Sequence, residues 1–583
     1  MEESSTSWGA DAYPRPELPS FFLFSFVGQC SPVMDRDQVL SQAAVDALIA
    51  DGQAIVIFRD YVLRLDSWLA RHPGGSLAIL HMIGRDATDE ITAYHAATTL
   101  RTMSAFRIGR KPPGLWINRT PPIRGRSLPS LDTTSSLSDS SSLDGDTSSS
   151  SSTAFTSPSI SSHGDDKVDN VLDLVRKRRN LTVPTCSSPA RFVDSAVQSG
   201  VDKDLRDYPS LDPAVQQDIV GKYRLLHQKI VDEGLYKCPY QQYAKELARY
   251  LTLLSTSLVA LHHAWYVTSA LLLGLFWHQI MFTAHDAGHR AITQIFAVDT
   301  LIGMFIGDFC CGLSIGWWKS SHNVHHLVTN QPEHDPDIQN VPLFAICPSF
   351  FKSISSTYYE NFVMAWDAAA DFLVPYQKYT YYPVMAIARF NLYILSWLHV
   401  LSSKSPSLAG TKVWWIRPVE VAFMCCYWFL FGYCLLWRSL PTWTTRVVYV
   451  LVSHIVTMPL HVQINLSHWG MSTSDLGESE SFAQRQLRTT MDIDCPPWLD
   501  FIHGGLQFQA VHHLFPRLPR HNLRRAQALV KEFCQSTAIP YSIFTFADGN
   551  RKVLGRLQEV SDQLAVLASC QKSMAESGTC GLH

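Results

Sequence analysis

The sequence predicts a small soluble α+β domain followed by an all-α membrane domain with about four transmembrane helices. Residues 34–110 alternate short β-type runs with short helical patterns, which is typical of a compact mixed domain. Residues 250–285, 421–437 and 447–474 contain no Asp, Glu, Lys or Arg. Because a helix needs about 20 apolar residues to cross a bilayer core, these runs indicate membrane spans.

Composition excludes several other classes of protein. The net charge of the 583 residues is −3, so we expect no nucleic-acid partner. The 13 cysteines form no CxxC pair and have no regular spacing, which argues against a disulfide scaffold or a zinc ribbon. The N-terminal stretch has no basic region before its apolar residues. We therefore expect no cleaved signal peptide, and a soluble N-terminal part that stays in the cytosol.

Within the first domain, strands and helices are predicted from short sequence patterns. The runs "AIVIF" (54–58) and "YVLRL" (61–65) are rich in β-branched and apolar residues and predict strands. The runs "SLAILHMIG" (76–84) and "DATDEITAYHAA" (86–97) predict helices, the second beginning at an aspartate. Residues 1–33 are expected to be a flexible extension.

Changes in composition divide the rest of the chain. Residues 111–165 are rich in Pro and then in Ser, and they are expected to be a disordered linker. Residues 166–245 are charged with helical periodicity, which predicts a cytosolic helical connector. The membrane domain is expected at 246–545, and residues 546–583 are expected to be a C-terminal tail.

The expected membrane spans form two pairs. At 1.5 Å per residue the uncharged run 250–285 is long enough for a tight hairpin of two helices. A second pair is expected at about 419–437 and 446–466. The runs 297–316 and 383–401 are interrupted by charged residues, so we expect them to be interfacial or re-entrant.

Two histidines of the first domain are candidate metal ligands. The stretch "LDSWLARHPGG" places His72 before a Pro-Gly-Gly turn, and "AYHAA" places His95 at the end of a helix. Two imidazoles from different helices fit a six-coordinate haem iron that transfers electrons, and the glycines allow close approach of the backbone. The alternative is two ordinary surface histidines beside a turn.

Three further histidine clusters lie at the ends of the apolar runs. Spacings of i, i+3 and i+4 put side chains on one helical face. Histidine suits iron, copper or zinc, and seven histidines exceed the roughly four ligands of one zinc ion, so two metals are favoured. The alternative is a set of amphipathic anchors at the membrane interface. The clusters are His285 and His289; His322, His325 and His326; and Gln509, His512 and His513.

The motifs HDxGH, HNxHH and QxxHH, in that order, resemble those of the membrane front-end desaturases. The segment "VLRLDSWLARHPGGSLAILHMIGRDATDEITAYH" resembles the cytochrome b5 domain that is fused to these enzymes, and the similarity covers nearly all of 34–545 apart from the linker. The resemblance implies haem b held by His72 and His95. It also implies two non-haem iron ions held by the seven box histidines, with Gln509 replacing an expected histidine.

The resemblance also implies partners and a location. The expected co-substrate is O2, and the electrons are expected to come from NADH through a cytochrome b5 reductase. The expected location is the endoplasmic reticulum membrane, with the haem domain and the histidine boxes facing the cytosol.

Further site residues follow from looser matches. Related membrane desaturases use a histidine on a late transmembrane helix, and "HVQINLSHWGM" offers His468 with Asn465 one turn away. His461 is a weaker candidate, for which a core or interfacial role is an equal alternative. Three aspartates are expected to orient imidazole N–H groups, or else to be helix caps and loop residues. They are Asp286, Asp335 and Asp337.

The substrate is suggested by finer resemblance. The Ser-rich insert and the stretches "VLRLDSWL" and "GGLQFQAVHHLFPRLPRHNLR" are most similar to fungal delta-8 sphingolipid desaturases. This implies a ceramide-type long-chain base as substrate and a trans product. The alternatives are a delta-6-type fatty acyl desaturase, a lipid hydroxylase, and a membrane-anchored haem electron donor whose desaturase half is inactive.

Overall fold

The computed structural model describes residues 35–125, 189–402 and 414–576. The expected flexible extension, the Ser-rich part of the expected linker and the start of the expected connector therefore lie outside the described residues.

The N-terminal domain is built on a three-stranded antiparallel sheet with strand order β1-β2-β3. The strands confirm the sequence prediction, and the two helices are shorter than expected. Asp86 accepts a hydrogen bond from the Thr88 backbone N–H at 3.1 Å, which satisfies a free donor at the start of the second of these helices. The elements are α1 (Gln42–Ala50), β1 (Ile55–Phe58), β2 (Tyr61–Arg64), α2 (Asp66–Leu69), α3 (Ser76–Leu80), α4 (Thr88–Tyr94), α5 (Ala97–Thr102) and β3 (Arg107–Arg110).

The structure contradicts the expectation of disorder for the first part of the linker. Residues 111–125 are part of the folded N-terminal domain. Trp116 is buried and donates its indole N–H to the Gly84 carbonyl at 3.0 Å. Arg119 forms a two-pronged ion pair with Asp46, at 2.7 and 3.0 Å. A Pro-rich segment without periodicity can thus pack through a few anchoring side chains.

The remainder of the described chain is mostly helical. The two helices before the membrane domain confirm the helical periodicity of the connector. The helices are α6 (Pro189–Asp207), α7 (Pro213–Asp232), α8 (Tyr240–His262), α9 (Tyr266–Gly288), α10 (Phe296–Met304), α11 (Ile315–Leu327), α12 (Ala368–Leu373), α13 (Gln377–Leu401), α14 (Ile416–Trp428), α15 (Trp443–Ile455), α16 (Met458–Leu466), α17 (Phe482–Thr489), α18 (Asp500–His503), α19 (Gln509–Leu514), α20 (Leu523–Thr537) and α21 (Phe546–Glu576).

Four short strands complete this part. One pair, β4 (Ile354–Ser356) and β5 (Phe362–Met364), is an antiparallel hairpin. The other pair, β6 (Asp492–Asp494) and β7 (Ile543–Thr545), is parallel and brings the start of α21 beside the segment that precedes α19.

Four helical segments are long and apolar enough to cross a membrane, as expected for an integral membrane protein. They are Tyr266–Gly288, Ala368–Leu401, Ile416–Ser439 and Trp443–Leu466. The number agrees with the prediction, but the expected interfacial run 383–401 lies in one of these spans. Its Arg389 is buried, stacks on the Trp277 ring at 4.3 Å and donates to the Cys311 carbonyl at 2.9 Å, which satisfies the charge inside the helical bundle.

Two other expectations concern the hairpin at 250–285 and the interrupted run at 297–316. The hairpin predicted at 250–285 is formed by α8 and α9, although α8 is not among the four spans. The segments Phe296–Cys310 and Ile315–Leu327 meet at a bend of 117°, which fits either a broken span or the expected re-entrant arrangement.

The expected C-terminal tail is instead a long helix in the core of the protein. α21 spans 31 residues, and its Val553, Leu557, Val560 and Leu564 are buried in one apolar cluster with residues of several other helices. The spacing of these residues is that of one helical face. This helix supports α16, whose end leads to His468.

The N-terminal domain and the membrane domain share a core. Val324, Leu327 and Val328 of the membrane domain lie in the same apolar cluster as Ile79 and Met82 of the N-terminal domain. The α3 and α4 face of the small domain therefore rests directly on α11.

Candidate functional site

His72 and His95 line one cavity of about 450 Å³, which lies between the N-terminal domain and the membrane domain. Their ring centroids are 6.0 Å apart. His72 Nδ1 donates to the Gly75 carbonyl at 2.8 Å, and His95 Nδ1 donates to the Ile91 carbonyl at 2.9 Å. Burial, followed by the neighbouring His72, lowers the pKa of His95 to about 3. Both imidazoles are thus oriented with Nε2 as the free ligand atom.

The rest of this cavity fits a flat apolar cofactor. Gly75 has φ +87°, a conformation that favours glycine and turns the chain directly after His72. The volume lies within the range of cofactor sites. The apolar lining from the N-terminal domain includes Leu63, Leu65, Trp68, Ile79, Met82 and Phe106.

The membrane domain closes the mouth of this cavity. Asn323 donates to the Gly74 carbonyl at 3.3 Å. Asp89 and Glu90 of α4 form ion pairs with Arg224 at 2.7 Å and Arg485 at 3.4 Å. The lining residues from the membrane domain include His289, Phe296, Leu327, Arg290, Lys319 and Arg517.

The box histidines come together in two groups at the ends of α9, α11 and α19. In the first group, His285, His289, His322 and His512 each offer a nitrogen within 4.8 Å of the others. Gly288 lies between the two histidines of α9, and a side chain there would collide with the Trp318 ring. The close contact between α9 and α11 that aligns the first and second boxes therefore depends on this glycine.

The second group contains His325, His468 and His513, whose nitrogens also lie within 4.8 Å of one another. His468 is thus brought to the site, as expected from its looser match. His326 lies between the two groups, with its ring centroid 4.8 Å from that of His512 and 4.0 Å from that of His513. All seven box histidines and His468 consequently belong to one centre.

The nitrogen atoms of this centre fit metal ions. Imidazole nitrogens that are buried without a partner are costly unless they bind something. His322 Nε2 and His326 Nε2 lie 2.9 Å apart. The ring nitrogens that are buried without a hydrogen-bond partner among the described residues include Nε2 of His285, His289, His468, His512 and His513.

Carboxylate and amide groups orient two of these histidines. Asp335 accepts from His325 Nδ1 at 2.9 Å, which leaves Nε2 free for a metal. Gln486 of α17 accepts from His513 Nδ1 at 2.9 Å and donates to the His326 carbonyl at 2.8 Å. Sequence reasoning missed Gln486, because it lies in no motif and its neighbours give no sign of its position.

The other two expected aspartates differ in their contacts. Asp337 lies 3.7 Å from His325 Nδ1 and accepts from the Ser321 hydroxyl at 3.0 Å. Asp286 lies 3.7 Å from His285 Nδ1 and forms an ion pair with Arg520. Asp286 therefore links α9 to the segment after α19 more than it orients His285.

A second cavity of about 430 Å³ borders the metal centre. Its lining includes His285, His322, His325 and His468 and is otherwise mainly apolar. Gln509, Asn465 and His461 also line it. His461 donates to the Met385 carbonyl at 3.0 Å and is not part of either histidine group, which agrees with the alternative of a structural role.

The two sites meet at Tyr94 and His289. Tyr94 precedes His95 in the chain, and its ring is edge-on to that of His326, with centroids 6.0 Å apart. His289 belongs to the first histidine group and also lines the cavity of His72. The sequence contains no signal for this juxtaposition.

Comparison with known proteins agrees with this architecture. Residues 41–111 match the family "Cytochrome b5-like Heme/Steroid binding domain", and residues 262–545 match the family "Fatty acid desaturase". The first of these families implies haem, and the second implies iron.

Three relatives are similar to nearly the whole chain, and each is named a Delta 8-(E)-sphingolipid desaturase. The relative from Emericella nidulans is 48% identical, over 94% of this chain and 99% of its own length. The relative from Kluyveromyces lactis is 44% identical, over 93% of this chain and 96% of its own length. The relative from Candida albicans is 41% identical, over 92% and 98%. The chain therefore belongs to the fatty acid desaturase family, among the members that carry an N-terminal cytochrome b5-like domain.

Proposed function

We propose that this oxidoreductase introduces a trans double bond at carbon 8 of the sphingoid long-chain base of ceramide-type lipids. The observation that carries the proposal is the similarity over more than nine-tenths of both chains to the Emericella nidulans relative and its printed activity. The histidine centre beside an apolar cavity supports the same chemistry.

The reaction removes two hydrogens from neighbouring carbons of a saturated chain. One O2, two electrons and two protons are consumed, and two waters leave with the unsaturated lipid. When bound, two non-haem iron ions supply the O2 chemistry that breaks so strong a C–H bond. In this proposal their ligands are His285, His289, His322, His325, His326, His512, His513 and His468.

The protein residues around the metal centre position the lipid and the ligands. The walls of the second cavity exclude water and hold an aliphatic chain beside His285 and His322. Asp335 and Gln486 hold His325 and His513 in the orientation that a metal requires. In this arrangement Gln509 reaches the metal through a hydrogen bond or a weak contact.

Haem b, held by His72 and His95, would supply the electrons from within the same chain. The contact of Tyr94 with His326 and the shared position of His289 give a short path between the two sites. NADH, through a cytochrome b5 reductase, is the proposed source of electrons. The proposed location is the endoplasmic reticulum membrane, with both sites on the cytosolic side.

The test is expression in a yeast that lacks delta-8 unsaturation of sphingoid bases, followed by mass spectrometry of its lipids. The expected product is a sphingoid base that is lighter by two hydrogens, with a trans double bond at carbon 8. The matched control is His512→Ala at equal expression, which should give no product while the haem spectrum stays intact.

Other products would contradict the proposal in distinguishable ways. A double bond in the fatty acids alone would indicate a front-end fatty acyl desaturase. A product heavier by one oxygen would indicate a hydroxylase. No modified lipid from the intact chain, with haem and iron bound, would favour an electron donor with an inactive desaturase half.

A further inference from the structure

We propose that three cationic residues of the membrane domain, Arg290, Lys319 and Arg517, bind the haem propionates, so that the haem site is shared between both domains. The inference rests on the haem site and not on the lipid that is desaturated. The same haem site is expected if the substrate is a fatty acid and not a sphingoid base.

The three cations reach the haem cavity from three separate segments. Arg290 follows α9, Lys319 lies on α11, and Arg517 follows α19. All three line the cavity that holds His72 and His95.

These cations have no carboxylate partner within 4.0 Å in the part of the chain that the structure describes. Arg290 and Lys319 instead face the Phe296 ring, at 4.7 and 5.6 Å. Arg517 donates to the Gln294 side chain at 3.4 Å. Asp299 is the acid whose charge favours the protonated forms of Arg290 and Lys319, and it already accepts hydrogen bonds from the Thr293 and Gln294 backbone N–H groups. Two guanidinium groups and an amine buried around one largely apolar cavity are still unfavourable in their charged forms unless a further anion joins them.

The N-terminal domain does not offer this charge itself. Among the described lining residues, those from the N-terminal domain include no Lys or Arg, and the one acid, Glu90, is paired with Arg485 at 3.4 Å. Haem carries two carboxylates on one edge, and the cations that line its cavity come from the other domain. A haem bound in this way would link the two domains.

The experiment uses the purified full-length protein and measures how fast haem transfers to excess apomyoglobin. Lys319→Gln and Arg517→Gln should each release haem about tenfold faster, because each variant loses a charge-assisted hydrogen bond. Their haem midpoint potential should also fall, because a nearby cation stabilises the reduced haem. The low-spin spectrum should persist, since His72 and His95 are unchanged.

Two controls separate propionate binding from a general loosening of the fold. Arg224→Gln removes an interdomain ion pair with Asp89 at 2.7 Å but lies outside the cavity, so its haem release and potential should match the unsubstituted protein. Lys319→Arg keeps the charge and should restore slow release.

The decisive comparison replaces haem with its iron dimethyl ester, in which both carboxylates are neutral. The unsubstituted protein and Lys319→Gln should then release the cofactor at the same rate. The proposal is overturned if the variants release ordinary haem at the unsubstituted rate. It is also overturned if their faster release persists with the dimethyl ester or is shared by Lys319→Arg.

Discussion

The haem cavity and the metal centre are both built around imidazoles that fit iron, but they are assembled in different ways. His72 and His95 are close in the sequence and lie on short helices of one small domain. The histidines of the metal centre run from His285 to His513 and come from three helices and the turn after α16. A histidine pair that is close in the sequence can therefore be predicted together with its partner. For the dispersed centre, the sequence predicts the histidines but not which of them lie together.

The largest expected effect is a loss of the metal centre that leaves the haem site intact. His512→Ala and His513→Ala should each lose bound iron and reduce double-bond formation to background, because each opens a ligand position to water. The haem spectrum should remain, since neither residue lines the haem cavity. Metal analysis, absorption spectroscopy and lipid analysis on the same purified samples check all three points.

The control for this prediction is His263→Ala, an exposed histidine in the turn after α8. It should keep iron, haem and product at the unsubstituted level. A His512→Ala protein with a full iron content and normal product would show that α19 does not carry the metal site.

The second prediction is a loss of the haem site that leaves the metal centre intact. His72→Ala and His95→Ala in the full-length protein should each abolish the six-coordinate low-spin haem spectrum while two irons per chain remain. Product should fall to the level that free cytochrome b5 of the host can support. His81→Leu is the matched control, since His81 is buried in the same domain, does not line the cavity and has no hydrogen-bond partner for its ring nitrogens among the described residues. Its low-spin spectrum should be unchanged, and a low-spin spectrum retained by a His72→Ala/His95→Ala double variant would contradict the ligand assignment.

The two sites show which features of the molecule the sequence predicts and which it does not. Local patterns predicted the strands of the N-terminal domain and singled out the histidines that the structure brings together in its cavity and in the metal centre, because each pattern reflects the geometry of one strand, turn or helix. Spacing could not show that His326 lies between the two groups or that Tyr94 contacts it. The first fact depends on how α11 packs against α9 and α19, and the second on how α4 packs on α11. All of these are contacts between distant segments.

Two expectations failed for different physical reasons. Residues 111–125 lack periodicity, so their packing through Trp116 could not be seen in the sequence pattern. Residues 546–583 were expected to be a tail, although Val553, Leu557, Val560 and Leu564 recur at the spacing of one helical face and pack in the core as part of α21. Gln486 shows a third case, in which an orienting residue carries no local signal at all.

A smaller effect is expected at one half of the metal centre. Asp335→Asn removes the carboxylate that orients His325, which should weaken iron binding about 10- to 100-fold. Only the group of His325, His468 and His513 should be affected, so iron per chain should fall toward one in dilute chelator. Iron content measured against chelator concentration checks this prediction.

Asp337→Asn is the matched control for Asp335→Asn. Asp337 lies 3.7 Å from His325 Nδ1 and makes no direct hydrogen bond to it at that distance. Its replacement should change iron binding much less. Equal losses in the two variants would mean that negative charge near His325, and not its orientation, holds the second metal.

The smallest effect is expected at Gln509, which begins α19 one turn before His512 and His513 and lines the cavity beside the metal centre. An amide is a poorer ligand than an imidazole, so the residue is expected to contribute a hydrogen bond or a weak contact and not a full metal bond. Gln509→His should therefore keep the iron content even if turnover falls, because it supplies a good ligand at a position facing the cavity. Gln509→Ala should have an iron content between those of Gln509→His and His512→Ala, since it removes the contact but leaves every histidine in place. Iron per chain and product yield, measured together, check the order. If Gln509→His lost iron as completely as His512→Ala, the amide itself would be needed to hold the metal.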